Sequence, residues 1–110
     1  MNIDIQCPET TVAQADHAKR QLRFVMTRHS SRIQRILVRL GDAQGPRGRP
    51  ANYCRIRVEL LDAQPVDSHD VGADLYEVID RAVGRAARAV CRKRRSLGLE
   101  HHAIHERIHP

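Results

Sequence analysis

Residues 73–95, ADLYEVIDRAVGRAARAVCRKRR, decide how the rest of the chain is arranged. No proline interrupts them, and their apolar residues return with the period of an α-helix rather than that of a strand. At about 100° per residue, Leu75, Val78, Ile79, Ala82, Val83, Ala86 and Val90 gather on one face, while Arg81, Arg85, Arg88, Arg92 and Arg95 gather on the other. Such a helix needs an apolar layer to lie on and leaves a cationic stripe outside. Asp74, Glu77 and Asp80 stand in its opening turns and the bases crowd its end, the order that the helix dipole favours. Gly84 costs about 1 kcal/mol relative to alanine, so packing has to hold the helix together there.

The layer it lies on is written just upstream. Ile36, Val38 and Leu40 alternate with Arg35 and Arg39, and Cys54, Ile56, Val58 and Leu60 alternate with Arg55, Arg57 and Glu59, which is the two-residue period of half-buried strands. Between them GDAQGPRGRPAN, residues 41–52, is expected to exclude regular structure and form a mobile hairpin tip carrying Arg47 and Arg49. A tight turn at 62–64 leads to a short strand from Val66 to His69, with Pro65 suited to an edge. Gly72 and Asp74 open the long helix, and Gly98 is expected to close it.

Farther back, residues 2–7 alternate as a short strand, with Ile3 and Ile5 on one side, and Pro8 ends it. Thr11 and Gln14 carry a capping-box signature. A first helix then runs to about His29 with Ala15, Ala18, Leu22, Val25 and Met26 inward, bordered by Lys19, Arg20 and Arg23; Phe24 falls on its polar side.

The order is therefore β-α-β-β-β-α. Each helix has one apolar stripe and the strands alternate, so both helices cover one face of the sheet. The expected fold is α+β in two layers, with a mainly antiparallel four-stranded sheet whose open face carries Arg35, Arg39, Arg55 and Arg57. A chain of 110 residues, 41% hydrophobic, supports one core. That core is expected in residues 1–98, with 99–110 a histidine-rich, flexible tail.

A net charge of +6 suits a polyanionic partner. Its placement says more: a solvated helix face usually interleaves acids at i, i+4, and from Arg81 to Arg95 there is no Asp or Glu. A counter-charge from outside would relieve the stripe. Aromatic residues make up only 3%, so base stacking on a sheet is disfavoured and phosphate and shape readout remain.

Cys7, Cys54 and Cys91 stand far apart, form no CxxC pair and are odd in number, which suits free thiols in a reducing, cytoplasmic setting. No apolar run long enough for a membrane span and no secretion signal is evident. His101, His105 and His109 would share a helical face, but a flexible tail offers nothing to orient the rings, so no metal is expected. Cys54 falls inward, and Cys91 lies among arginines with no evident base or pocket. No glycine-rich phosphate loop opens a helix. Neither enzymatic activity nor a cofactor is expected.

Residues 41–95 resemble the ribosome hibernation-promoting factor and ribosome-associated inhibitor family. ADLYEVIDRAVGRAARAVCRKRR is similar to that family's second helix, with Asp74, Tyr76, Ile79 and Asp80 ahead of a basic end, and GDAQGPRGRPANYCRIRVEL is similar to a branch whose hairpin loop reads Gly-Pro-Arg-Gly. The derived element order is also that family's fold, and the sequence matches its short, single-domain form. The resemblance implies binding to the small ribosomal subunit in the mRNA and tRNA channel, silencing translation under stress. It implies phosphate contacts from Lys19, Arg20, Arg23, Arg47, Arg81, Arg85, Arg88, Arg92 and Arg95. Two other readings stay open: a general double-stranded-RNA-binding module, whose topology the last three strands and helix resemble, and a protein-interaction regulatory module.

Overall fold

The computed structural model describes residues 1–108, with side chains through residue 94. Four strands, β1 (Ile3–Gln6), β2 (Ile33–Gln44), β3 (Pro50–Leu60) and β4 (Val66–Gly72), form one sheet in the order β1-β2-β3-β4. Helix α1 (Val12–Met26) joins β1 to β2, and α2 (Leu75–Ile108) follows β4. β1 runs parallel to β2, and the other two pairings are antiparallel. The parallel step follows from α1, which crosses back over the sheet between β1 and β2.

Both helices cover one face, and the fold is the expected two-layer α+β arrangement. All seven residues of α2's apolar stripe are buried, as are Ala18, Leu22 and Met26 of α1, and they pack in one cluster with Ile36, Val38, Cys54, Ile56 and Val58. Ser68, pointing into this layer from β4, donates its hydroxyl to the Ala82 carbonyl at 2.8 Å, which satisfies a buried polar group.

Several boundaries move from their expected places, each for a local reason. The hairpin arms extend through most of 41–52, with Gly41 opposite Tyr53 and Gln44 opposite Pro50. Gly41 is tolerated in the strand because the Tyr53 ring occupies the space its side chain would need, 2.6 Å from an ideal Cβ. Pro50 starts β3, where its missing N–H costs no internal ladder bond. Only the turn at 45–49 remains irregular, and Arg47 takes a left-handed φ of 61°. β4 reaches Gly72, because Asn52 at the lengthened start of β3 pairs with it.

Thr11 does not form the expected capping box. Its hydroxyl donates to the Pro8 carbonyl at 2.8 Å, closing a 3-10 turn over Glu9–Thr11 that precedes α1. α1 stops at Met26 rather than near His29, and a 3-10 segment covers Thr27–Arg32. There the Thr27 hydroxyl donates to the Arg23 carbonyl, a local side-chain bond that competes with a continuing helix. Asp74 caps α2 as expected, its carboxylate accepting from the Tyr76 N–H at 3.0 Å. α2 does not end at Gly98 but continues to Ile108, since one glycine costs only about 1 kcal/mol. The expected flexibility and histidine placement of 99–110 concern side chains outside those described.

Candidate nucleic-acid interface

The arginine stripe of α2 divides into two halves with different surroundings. Asp70 on β4 stands beside its first half. Arg81 Nε donates to Asp70 Oδ2 at 2.5 Å, and Arg85 donates to Asp70 Oδ1 at 3.4 Å and to the His69 carbonyl at 2.7 Å. Arg81 also lies 3.8 Å from Glu77. Partial burial alone would raise the Asp70 carboxyl. The hydrogen bond from Arg81, the Val71 backbone N–H and the charges of Arg81 and Arg85 outweigh it and hold the carboxyl below the usual carboxylate range. In the other direction, the Asp70 hydrogen bond raises the Arg81 pKa. The stripe is therefore relieved from inside the molecule at Arg81 and Arg85, by an acid on a strand.

Arg88 and Arg92 have no acid partner among the described residues. They face a groove between the C-terminal part of α1, the segment after it, and α2, lined by Phe24, Val25, Arg28, His29, Ala87, Arg88, Cys91 and Arg92, with a volume of about 620 Å³. Among the described residues, no acid lines it. Phe24 is 84% exposed, an apolar ring set beside three guanidinium groups. Phe24 and Arg28 come together through helical spacing and Arg88 and Arg92 through the same spacing on α2; the packing of the helices joins the two pairs. At their other ends the helices are tied by His17, whose Nε2 lies 2.8 Å from Asp80 Oδ1 and whose ring meets Tyr76 edge-on at 5.1 Å.

Of the other predicted contacts, Arg20 and Arg23 are exposed on α1 and Lys19 is half-buried there, outside the groove lining. Arg47 projects at the hairpin turn, separate from this cluster, and the Arg95 side chain lies outside those described. Arg28 and His29 were not among the predicted residues. For Arg28 the signal was its i, i+4 relation to Phe24; for His29, buried at 3% exposure, no local pattern pointed inward.

The open sheet face is a second basic surface, but its charges are mixed. Arg35 pairs with Glu59 at 2.9 Å and Arg57 with Asp67 at 3.4 Å, while Arg39 donates to Gln6 at 3.1 Å. Arg39 and Arg55 stand directly opposite each other, an unfavourable like-charge placement. Asp4 and Asp67 share the shallow concavity of about 410 Å³ around them. Electrostatically the helix groove is the better anion site, because no acid among the described residues enters it.

The inward position expected for Cys54 holds: burial, with a smaller contribution from Asp70, pushes its thiol up to about 12. All three cysteines are free. Cys91 differs from its expected setting, because a base is present: its Sγ lies 3.6 Å from His29 Nε2. Among the described residues, no helix is long and apolar enough to cross a membrane.

No family model matches the sequence, and no curated protein does. Among solved structures, a ribosomal subunit interface protein from Coxiella burnetii superposes with a TM-score of 0.71 at 11% identity, covering 86% of this chain and 98% of that one. The chain thus has the fold of that ribosomal subunit interface protein, on a sequence that shares little with it.

Proposed function

We propose that this protein is a ribosome-associated, hibernation-type factor that binds small-subunit rRNA through the basic face of its two helices and silences translation in the cytoplasm. The observation that carries the reading is the groove, without an acid among the described residues, that Arg28, Arg88 and Arg92 line together with an exposed Phe24. Three exposed guanidinium groups with no acid partner among the described residues match a phosphate backbone, to which arginine binds in bidentate fashion. The fold shared with a ribosomal subunit interface protein directs the proposal to the ribosome rather than to RNA at large. Arg20 and Arg23 on α1 extend the contact, and Arg47 reaches a separate phosphate. The role is one of binding, without catalysis or cofactor.

The test is association of the purified protein with isolated small subunits, with a plain RNA duplex and with an acidic protein, each over a salt series. Tight, salt-sensitive binding to subunits alone is expected. Equal affinity for duplex RNA would make it a general double-stranded-RNA binder. Preference for the acidic protein would make it a protein-interaction module.

A further inference from the structure

Within the groove, one pair of side chains has no part in holding phosphates. Cys91 and His29 are 62 positions apart in sequence, yet the helix packing sets the thiol sulfur 3.6 Å from the imidazole Nε2. His29 is 3% exposed, and its Nδ1 is buried without a hydrogen-bond partner among the described residues. A buried polar atom left unpaired is uncommon and asks for an explanation. Burial first, then the charges of Arg94, Arg28 and Arg32, lower the pKa of this imidazole, so at neutral pH it is uncharged and can accept a proton. Cys91 is half-buried and lines the open groove, where a reagent can reach it.

We propose that Cys91 is a covalent modification site, at which a small disulfide bearing carboxylates, of the glutathione type, is taken up as a mixed disulfide with His29 as base. The thiol proton passes to His29 Nε2 as the sulfur attacks one sulfur of the bound disulfide. The new S–S bond forms as the old one breaks, and the electron pair leaves on the departing sulfur. That thiolate takes the proton from His29 and departs as a thiol. The Cys91 sulfur is oxidised, the departing half is reduced, and the disulfide itself is the oxidant. Arg28, Arg88 and Arg92 select an anionic reagent, because no acid among the described residues lines the groove to repel or replace it. The retained half then sets carboxylates against the guanidinium groups assigned to RNA, and so weakens subunit binding. That last consequence rests on the RNA-binding reading; the modification itself does not.

The experiment exposes the full chain to glutathione disulfide, and in parallel to cystamine, a cationic disulfide, following modification by intact mass and peptide mapping. Cys7, also half-buried but outside the groove, serves as the internal reference. Glutathione disulfide should modify Cys91 at least about ten times faster than Cys7, and cystamine should lose that preference, since a local field changes encounter rates by about tenfold or more. R88Q/R92Q should remove the difference between the two reagents. H29Q should slow the reaction at Cys91 by about tenfold or more and leave Cys7 unchanged. Should H29Q fail to fold, the two-reagent comparison on the parent chain decides alone. Equal rates at Cys91 and Cys7, or no discrimination by reagent charge, would overturn the proposal. Modified protein is then tested on small subunits: weaker binding, restored by reductant, supports the regulatory consequence, and unchanged binding overturns it while the modification site stands.

Discussion

Exchanging arginines in pairs along α2 distinguishes a phosphate-binding face from a structural one. Arg88 and Arg92 are exposed and have no acid partner among the described residues. In R88Q/R92Q the helix should be retained, because Gln has nearly the helix propensity of Arg, and stability should stay within about 0.5 kcal/mol of the parent. If each arginine neutralises one phosphate, the slope of log affinity against log salt should fall by about 1.4 to 1.8 for the pair. Arg81 and Arg85 share Asp70, whose side chain is only 14% exposed. R81Q/R85Q leaves that carboxylate without its charged donors, so its stability should fall below that of R88Q/R92Q. Its salt slope should change less, since Asp70 already neutralises part of this half. Affinity for isolated small subunits, measured by filter binding or sedimentation over a salt series, gives the slopes; chemical denaturation gives the stabilities. Equal slope changes in the two double variants, or an unchanged slope in R88Q/R92Q, would refute the division of the stripe and the groove assignment with it.

Ile56, fully buried on β3 beneath the helical layer, should cost about 2–5 kcal/mol when replaced by Ala; a denaturation shift under about 0.5 kcal/mol would place that strand face outward. Arg47 has a left-handed φ of 61°, which costs a side-chain-bearing residue about 1–2 kcal/mol. R47G should therefore keep or raise stability, despite glycine's greater unfolded freedom, while removing about 0.7–0.9 from the salt slope; a loss of stability would show that the turn differs. His29 has a folded pKa below its ordinary 6.5, so the unfolded chain binds the proton more readily. Its contribution is complete above about 6.5 and is lost as pH falls from there towards the folded value. Thermal unfolding should accordingly show a loss of stability through that window in the parent and a smaller loss in H29Q; identical pH profiles would count against a buried neutral imidazole.

Local patterns carried the architecture because burial acts residue by residue along each element. The alternation around Ile36 and Ile56 and the helical stripe from Leu75 to Val90 separate core from surface without any knowledge of partners, and the residues on those stripes are the ones that are buried. Turn and cap chemistry at Asp74 was equally readable, since it involves neighbours two residues apart. Where an element stops depends on what lies across from it. Residues 41–44 extend as strand because 50–53 pair with them, and the Tyr53 ring covers Gly41. Charge pairing is also a property of space. Read along the chain, Arg81 through Arg95 have no acid; in the fold, Asp70 reaches them from β4 and neutralises the first half only. The groove depends on packing in the same way, because Phe24 and Arg28 come from one helix and its exit, Arg88 and Arg92 from another. By itself the sequence determined which faces are apolar and which are cationic, since periodicity is written in one dimension. Which arginines remain unpaired, and that Cys91 meets His29, only the tertiary structure decided, because those distances are set by how two helices lie together on one sheet.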